Sequence, residues 1–145
     1  MQTTTANPPV GANAIETNHT GDFAYQAYQI LHWGFVAAPL LAGLDKFFHR
    51  LANWDVYLCS AFANLAAQVN LTTHNFMYVV GVTEIIAALV VAIKPKVGAY
   101  VVAAWLAVII GNLLLLQNFY DIALRDFGLF LAAISLGRLS HRYSH

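Results

Sequence analysis

Cysteine is nearly absent from this sequence: Cys59 is the single one. One thiol per chain excludes an internal disulfide framework, a CxxC redox pair and a thiolate metal cage. Charge is scarce as well, at 10% of residues against 59% from the apolar set AVILMFWYC. Soluble domains carry about 25% charged residues, so a chain this poor in them cannot clothe a water-facing surface. Seven Lys and Arg balance seven Asp and Glu. They form no basic run, which leaves no electrostatic footprint for nucleic acid. Nucleophile elbows, metal-ligand spacings and phosphate loops are missing too, so nothing supports a hydrolase of soluble substrates, and no metal site is expected.

What the sequence has is long apolar runs, with a mean hydropathy of +0.60. Four stretches approach the length of about 20 residues that a helix needs to cross a bilayer core: 25–44, 75–93, 97–117 and 121–139. Lys94-Pro95-Lys96 and Asn118-Phe119-Tyr120 join the last three so briefly that each pair must be an antiparallel hairpin. The first span is the least apolar. Gln26, Gln29 and His32 lie in its first half, and Pro39 should kink it by removing a helical hydrogen bond.

In the connection 45–74, Leu51, Trp54, Leu58, Phe62, Leu65 and Val69 recur at helical spacing, opposed by Asn53, Ser60, Asn64 and Gln68. This pattern predicts an amphipathic helix over 51–69, lying in the interface or capping the bundle. Residues 1–23, rich in Pro, Thr, Asn and Gly, read as an extended polar tail resting on another subunit, and as neither a signal nor a transit peptide. Residues 141–145 form a short second tail. The expected fold is therefore all-α: an integral membrane four-helix bundle over residues 24–140, with one added interfacial helix. Lys94, Lys96, Arg138 and Arg142 fall on the side of both termini, against Lys46 and Arg50 opposite, which predicts cytoplasmic termini.

Ionisable groups inside a bilayer are costly and are the first candidates for function. Glu84 sits mid-way along the second span, about 14 Å from its non-cytoplasmic end at 1.5 Å per residue. Arg125 and Asp126 lie one turn into the fourth span from that same side, Asn112 near that end of the third, and Asp45 and Lys46 close the first. All four spans thus bring polar groups to one half of the bilayer, and Arg125 is long enough to reach Glu84. Besides a proton path with no ligand, two accounts fit this cluster of Lys46, Glu84, Asn112, Arg125 and Asp126. One is a satisfied network that fixes helix register. The other is a pocket for a ligand such as a quinone headgroup, with Arg125 or Lys46 donating to a carbonyl and Glu84 or Asp126 exchanging protons.

His32 raises a haem or pigment reading as a single axial ligand. A bis-histidine haem would need a second histidine at matching depth on a facing span, and none of the other three offers one. The ordinary fate of such a histidine is a hydrogen bond to a neighbouring helix. Ala103, Ala107 and Gly111 repeat every four residues, a face that allows close approach of a helix from the same chain or from a partner.

Gly43-Leu44-Asp45-Lys46 followed by Phe47-Phe48, Gly81-Val82-Thr83-Glu84 followed by Ile85-Ile86-Ala87-Ala88, and Asp126 opening Phe-Gly-Leu-Phe-Leu resemble the DoxX-like family of small bacterial and archaeal membrane proteins. The resemblance covers about residues 28–139. It departs where the family has an early arginine, here Gln29 and His32, and where glycines follow the glutamate, here alanines. The resemblance implies a four-span protein of a bacterial or archaeal cell membrane. It also implies a quinone-linked redox role, with Lys46, Glu84, Arg125 and Asp126 as candidate residues. Two functions are therefore expected: a small membrane subunit of a redox or bioenergetic complex contacting quinone, or a non-catalytic subunit that stabilises a larger membrane assembly. The expected partners are lipid and other membrane subunits or further copies of the chain. A transporter would be expected to show internal repeats or paired broken helices, and neither is present.

Overall fold

The computed structural model describes the backbone of residues 10–48 and 50–144, and the side chains of residues 21–48 and 50–144. Every regular element among them is helical. Helix α1 runs Val10–Phe48, α2 Ser60–Gln68, α3 Thr73–Ile93, α4 Pro95–Leu116 and α5 Tyr120–Tyr143, with a 3₁₀ turn at Trp54–Tyr57. The four long helices lie side by side: α1 against α3 and α5, and α4 against α5 and α3.

Three of them, α1 over Gly21–Phe48, α3 and α4, are long and apolar enough to cross a membrane. The fourth expected span, 121–139, is a helix of sufficient length but not of sufficient apolarity. Its uncharged stretch between Asp126 and Arg138 is eleven residues, about 16 Å of helix. The outer faces of the long helices carry Leu41, Ile86, Leu89, Ile93, Val108, Leu115 and Leu124, all exposed. Large apolar side chains on so much of the surface suit lipid rather than water.

Local chemistry sets the ends. The Thr72 hydroxyl caps α3 by accepting from the Asn75 amide at 3.2 Å. Pro95 occupies the first turn of α4, where its missing N–H costs nothing. Lys94 alone separates α3 from α4. That turn is tight enough for a Cβ on Gly98 to fall 2.5 Å from the Val91 Cα, so only glycine fits there. On α3, Met77, Gly81, Glu84, Ala87, Ala88 and Val91 are buried at spacings of three and four, a single inward stripe. Ala87 and Val91 join Tyr28, Phe35, Ala99, Val102, Ala103, Leu106, Ala133 and Leu136 in a core that fills the half of the molecule near the α3–α4 turn. Hydroxyls in this apolar setting serve their own helix: Thr83, Ser135 and Ser140 each donate to the carbonyl four residues back.

Three expectations are corrected. The polar tail is not extended over 10–23, because α1 begins at Val10. No proline lies between Pro9 and Pro39, and once the apolar span has met the cost of nucleation the helix extends cheaply towards its N-terminus; residues 1–9 lie outside the described residues. The amphipathic helix over 51–69 is instead broken. The 3₁₀ turn ends at Tyr57, Leu58 and Cys59 are extended, and α2 starts at Ser60. Residues 141–143, expected as tail, belong to α5.

Candidate functional site: a polar cluster on an apolar cavity

The closest backbone approach that sets the site is between Gly43 on α1 and Gly81 on α3. A Cβ on Gly43 would lie 2.7 Å from the Gly81 carbonyl oxygen, and one on Gly81 would lie 2.8 Å from that of Gly43. The two helices run antiparallel, and helical side chains lean towards their own N-terminus. Lys46, one turn after Gly43, therefore leans towards the middle of the bundle, and Glu84, one turn after Gly81, leans back to meet it. The result is a buried ion pair, Lys46 Nζ to Glu84 Oε2 at 2.6 Å, with side chains 3% and 9% exposed. The same ammonium lies 3.8 Å from the centroid of the Trp54 ring, a cation–π contact. Arg125 does not reach Glu84 as expected. It turns to its neighbour, with Nε 3.0 Å from Asp126 Oδ1. Lys46 is the nearer cation, and Arg125 is largely exposed while Asp126 is buried.

Asn112 and Asp45 hold the cover of the site. The Asn112 side-chain oxygen accepts from the Cys59 amide at 2.9 Å, and its nitrogen donates to the Tyr57 carbonyl. These bonds satisfy the backbone where the amphipathic segment breaks. Asp45 accepts from the Arg50, Leu51 and Ala52 amides and from the Trp54 indole. The segment that follows α1 is thereby folded over the end of the molecule, and Cys59 is left buried.

Beneath this cover lies a cavity of about 710 Å³. Lys46, Glu84, Asn112, Arg125 and Asp126 all line it, so the five residues singled out in the sequence meet in one place. The rest of the lining is mainly apolar, with Phe35, Met77, Leu106 and Phe62 among it. Ligand pockets commonly measure about 300–1,000 Å³ and combine an apolar wall with a few polar groups. Of two further features on the lining, the first escaped the sequence reading and the second, the bond lost at Pro39, was expected from it. The Trp105 indole N–H, also on the lining, is buried and faces the Glu84 carboxylate, though not with the geometry of a good hydrogen bond. Pro39, on the lining as well, cannot donate to the Phe35 carbonyl, leaving that oxygen without its helical bond. A tryptophan in an apolar run gives no sign of which way its N–H points, so only the packing reveals it.

His32 lies apart from the cluster and its Nε2 is engaged. It is 3.0 Å from the Val91 carbonyl oxygen, which can only accept, so Nε2 carries the proton. The nitrogen that an axial ligand would most readily offer is therefore used in tying α1 to α3. Of the small-residue face, Ala103 is buried whereas Ala107 and Gly111 are exposed.

No family model matches the sequence, and neither a curated protein nor a solved structure matches the chain.

Proposed function

We propose that the chain is a small four-span membrane subunit of a redox or bioenergetic assembly, similar to DoxX-like proteins, and that its cavity receives a quinone headgroup. The observation that carries this reading is the meeting of the buried Lys46–Glu84 pair and the Trp105 indole, whose N–H faces Glu84, on the wall of one large apolar cavity. A quinone needs an apolar slot for its ring and donors for its carbonyl oxygens. Among the described residues the Trp105 N–H faces the Glu84 carboxylate without making a hydrogen bond of good geometry, so a carbonyl oxygen placed there would offer it a better acceptor. Lys46 supplies a second donor, and Glu84 and Asp126 are carboxylates able to hold protons when the bound ring is reduced.

In this reading α5 is the fourth span. Its charged side chains are handled locally, Asp126 inside against Arg125, and Arg125 extended towards the interface. The end of the molecule with the α3–α4 turn, which bears Lys94, Lys96, Arg138 and Arg142, then faces the cytoplasm of a bacterial or archaeal cell. A second reading, a purely structural subunit, draws on the open outer face at Gly111, where a Cβ would meet nothing within 4 Å. The deciding experiment is mass and absorbance analysis of protein extracted in mild detergent, wild type beside Glu84→Gln. Quinone retained by the wild type and lost or reduced in the variant supports the site. An extract without quinone, joined to unchanged quinone turnover of the assembly in Glu84→Gln, removes the quinone role.

A further inference from the structure

We infer that the occupant of this cavity comes in sideways from the bilayer, through a slot between α1 and α5, and that it carries a hydrocarbon tail left lying in that slot. This inference rests on the quinone reading and narrows it to tailed, lipid-soluble quinones. The end near Asn112 is roofed by Trp54, Tyr57, Leu58 and Phe62, held down by the bonds to Asp45 and Asn112. The opposite end is floored by core residues with no exposure at all, Val91, Ala99, Ala133 and Leu136. The α1–α3 wall is sealed by the contact of Gly43 with Gly81.

The α1–α5 side differs. These helices touch at the far end, where Tyr143 meets Tyr25 and Tyr28 with ring centroids 5.6 and 5.8 Å apart, and its hydroxyl donates to the Gly21 carbonyl. Towards the cavity, the facing residues are both on its lining and exposed: Ile30, Gly34 and Ala38 on α1, Arg125 and Leu129 on α5. A side chain built on Gly34 would meet nothing within 4 Å. A lining residue that is also exposed marks an opening; Leu65 on α2 and Val108 on α4 meet that description singly, whereas the α1–α5 side groups five such residues, every one except Arg125 apolar. Such an opening admits a molecule dissolved in lipid, headgroup first, and Arg125 stands where the polar end must pass.

The test uses the full chain in lipid nanodiscs and two probes, a decyl-tailed benzoquinone and the same benzoquinone without its tail, with binding followed by quenching of tryptophan fluorescence. Gly34→Phe fills the slot without touching the polar cluster. Gly111→Phe adds the same bulk on the outer face of α4, where there is equal room, and serves as the control. Each probe is compared only with itself across variants, so its partition into lipid cancels. The expected result is that Gly34→Phe weakens the tailed probe by about tenfold or more and the tail-less probe by less than about twofold, with Gly111→Phe altering neither. Undiminished binding of the tailed probe by Gly34→Phe overturns the lateral route and leaves the quinone site standing. Equal weakening of both probes also overturns it, since the substitution then acts on the site rather than on a tail. If the wild type binds neither probe, the quinone reading itself falls and takes this inference with it.

Discussion

Removing Lys46 from its pair with Glu84 should cost far more than removing both charges together. The pair is buried at 2.6 Å, and stranding one charge of such a pair costs about 3–5 kcal/mol because nothing compensates it. Lys46→Met leaves the Glu84 carboxylate in that position, so it should show the full loss. Glu84→Gln should be milder. The amide oxygen still accepts from the ammonium, which also keeps the Trp54 ring at 3.8 Å, a contact worth about 2 kcal/mol when desolvated. The double variant Lys46→Met/Glu84→Gln removes both charges at nearly constant volume and should return to within about 1 kcal/mol of wild type. The cycle therefore predicts a coupling of about 3 kcal/mol or more. Equilibrium unfolding in mixed dodecylmaltoside and dodecylsulfate micelles, followed by circular dichroism, measures all four proteins on one scale. Hydrogen bonds between helices of membrane proteins couple by only about 0.6 kcal/mol on average. A coupling of that size would mean that the contact acts as an ordinary hydrogen bond, and the claim that an ion pair fixes α1 on α3 would be lost.

Two further outcomes follow from the same geometry. Gly43→Ala and Gly81→Ala each drive a Cβ to within 2.8 Å of a facing carbonyl oxygen, so both should destabilise by about 1–3 kcal/mol. Gly111→Ala, with open space around it, should be neutral or stabilising by up to about 1 kcal/mol; equal effects at all three sites in the same unfolding assay would contradict the close approach. Asn112→Leu removes both bonds to the extended step before α2 and should expose Cys59, the sole thiol. Maleimide labelling in micelles ought to quicken by about tenfold, as for a cover loosened by about 1.4 kcal/mol, and an unchanged rate would show that the cover stays shut without Asn112.

The helices and the polar cluster were legible because each rests on a local pattern. Apolar runs of the required length announce α3 and α4, and a glutamate in the middle of one announces itself by its cost. The glycine steps Gly43–Lys46 and Gly81–Glu84 were visible as motifs, yet their purpose was not, since it lies in two backbones meeting across forty residues of sequence. Partner choice was illegible for the same reason. Arg125 has the reach to bridge to Glu84, but Lys46 is delivered there by the glycine contact, which no spacing along the chain encodes. The amphipathic segment failed as one helix because its periodicity continues through Leu58 and Cys59, while the backbone there is claimed by Asn112 from another helix. Nor did the polar tail give a usable signal. Its composition favours an extended chain locally, and the helix it joins overrides that preference.

The cavity itself constrains what surrounds the protein. Its volume of about 710 Å³ belongs to an open pocket and not to a sealed void, since Ile30, Ala38 and Leu129 are exposed as well as on the lining, so whatever lies against the protein there reaches into it. On the α1–α5 side the available filler is the acyl chain of a neighbouring lipid, which is as apolar as Ile30, Ala38 and Leu129 and gains little by staying. At the Lys46–Glu84 end the acyl chain is a poor filler, because it offers the ammonium and the carboxylate no polar partner. Under the proposed function, a tailed quinone therefore competes with lipid on equal terms along the slot and gains only at the polar end, so discrimination between the two is expected to reside in Lys46, Glu84 and Trp105.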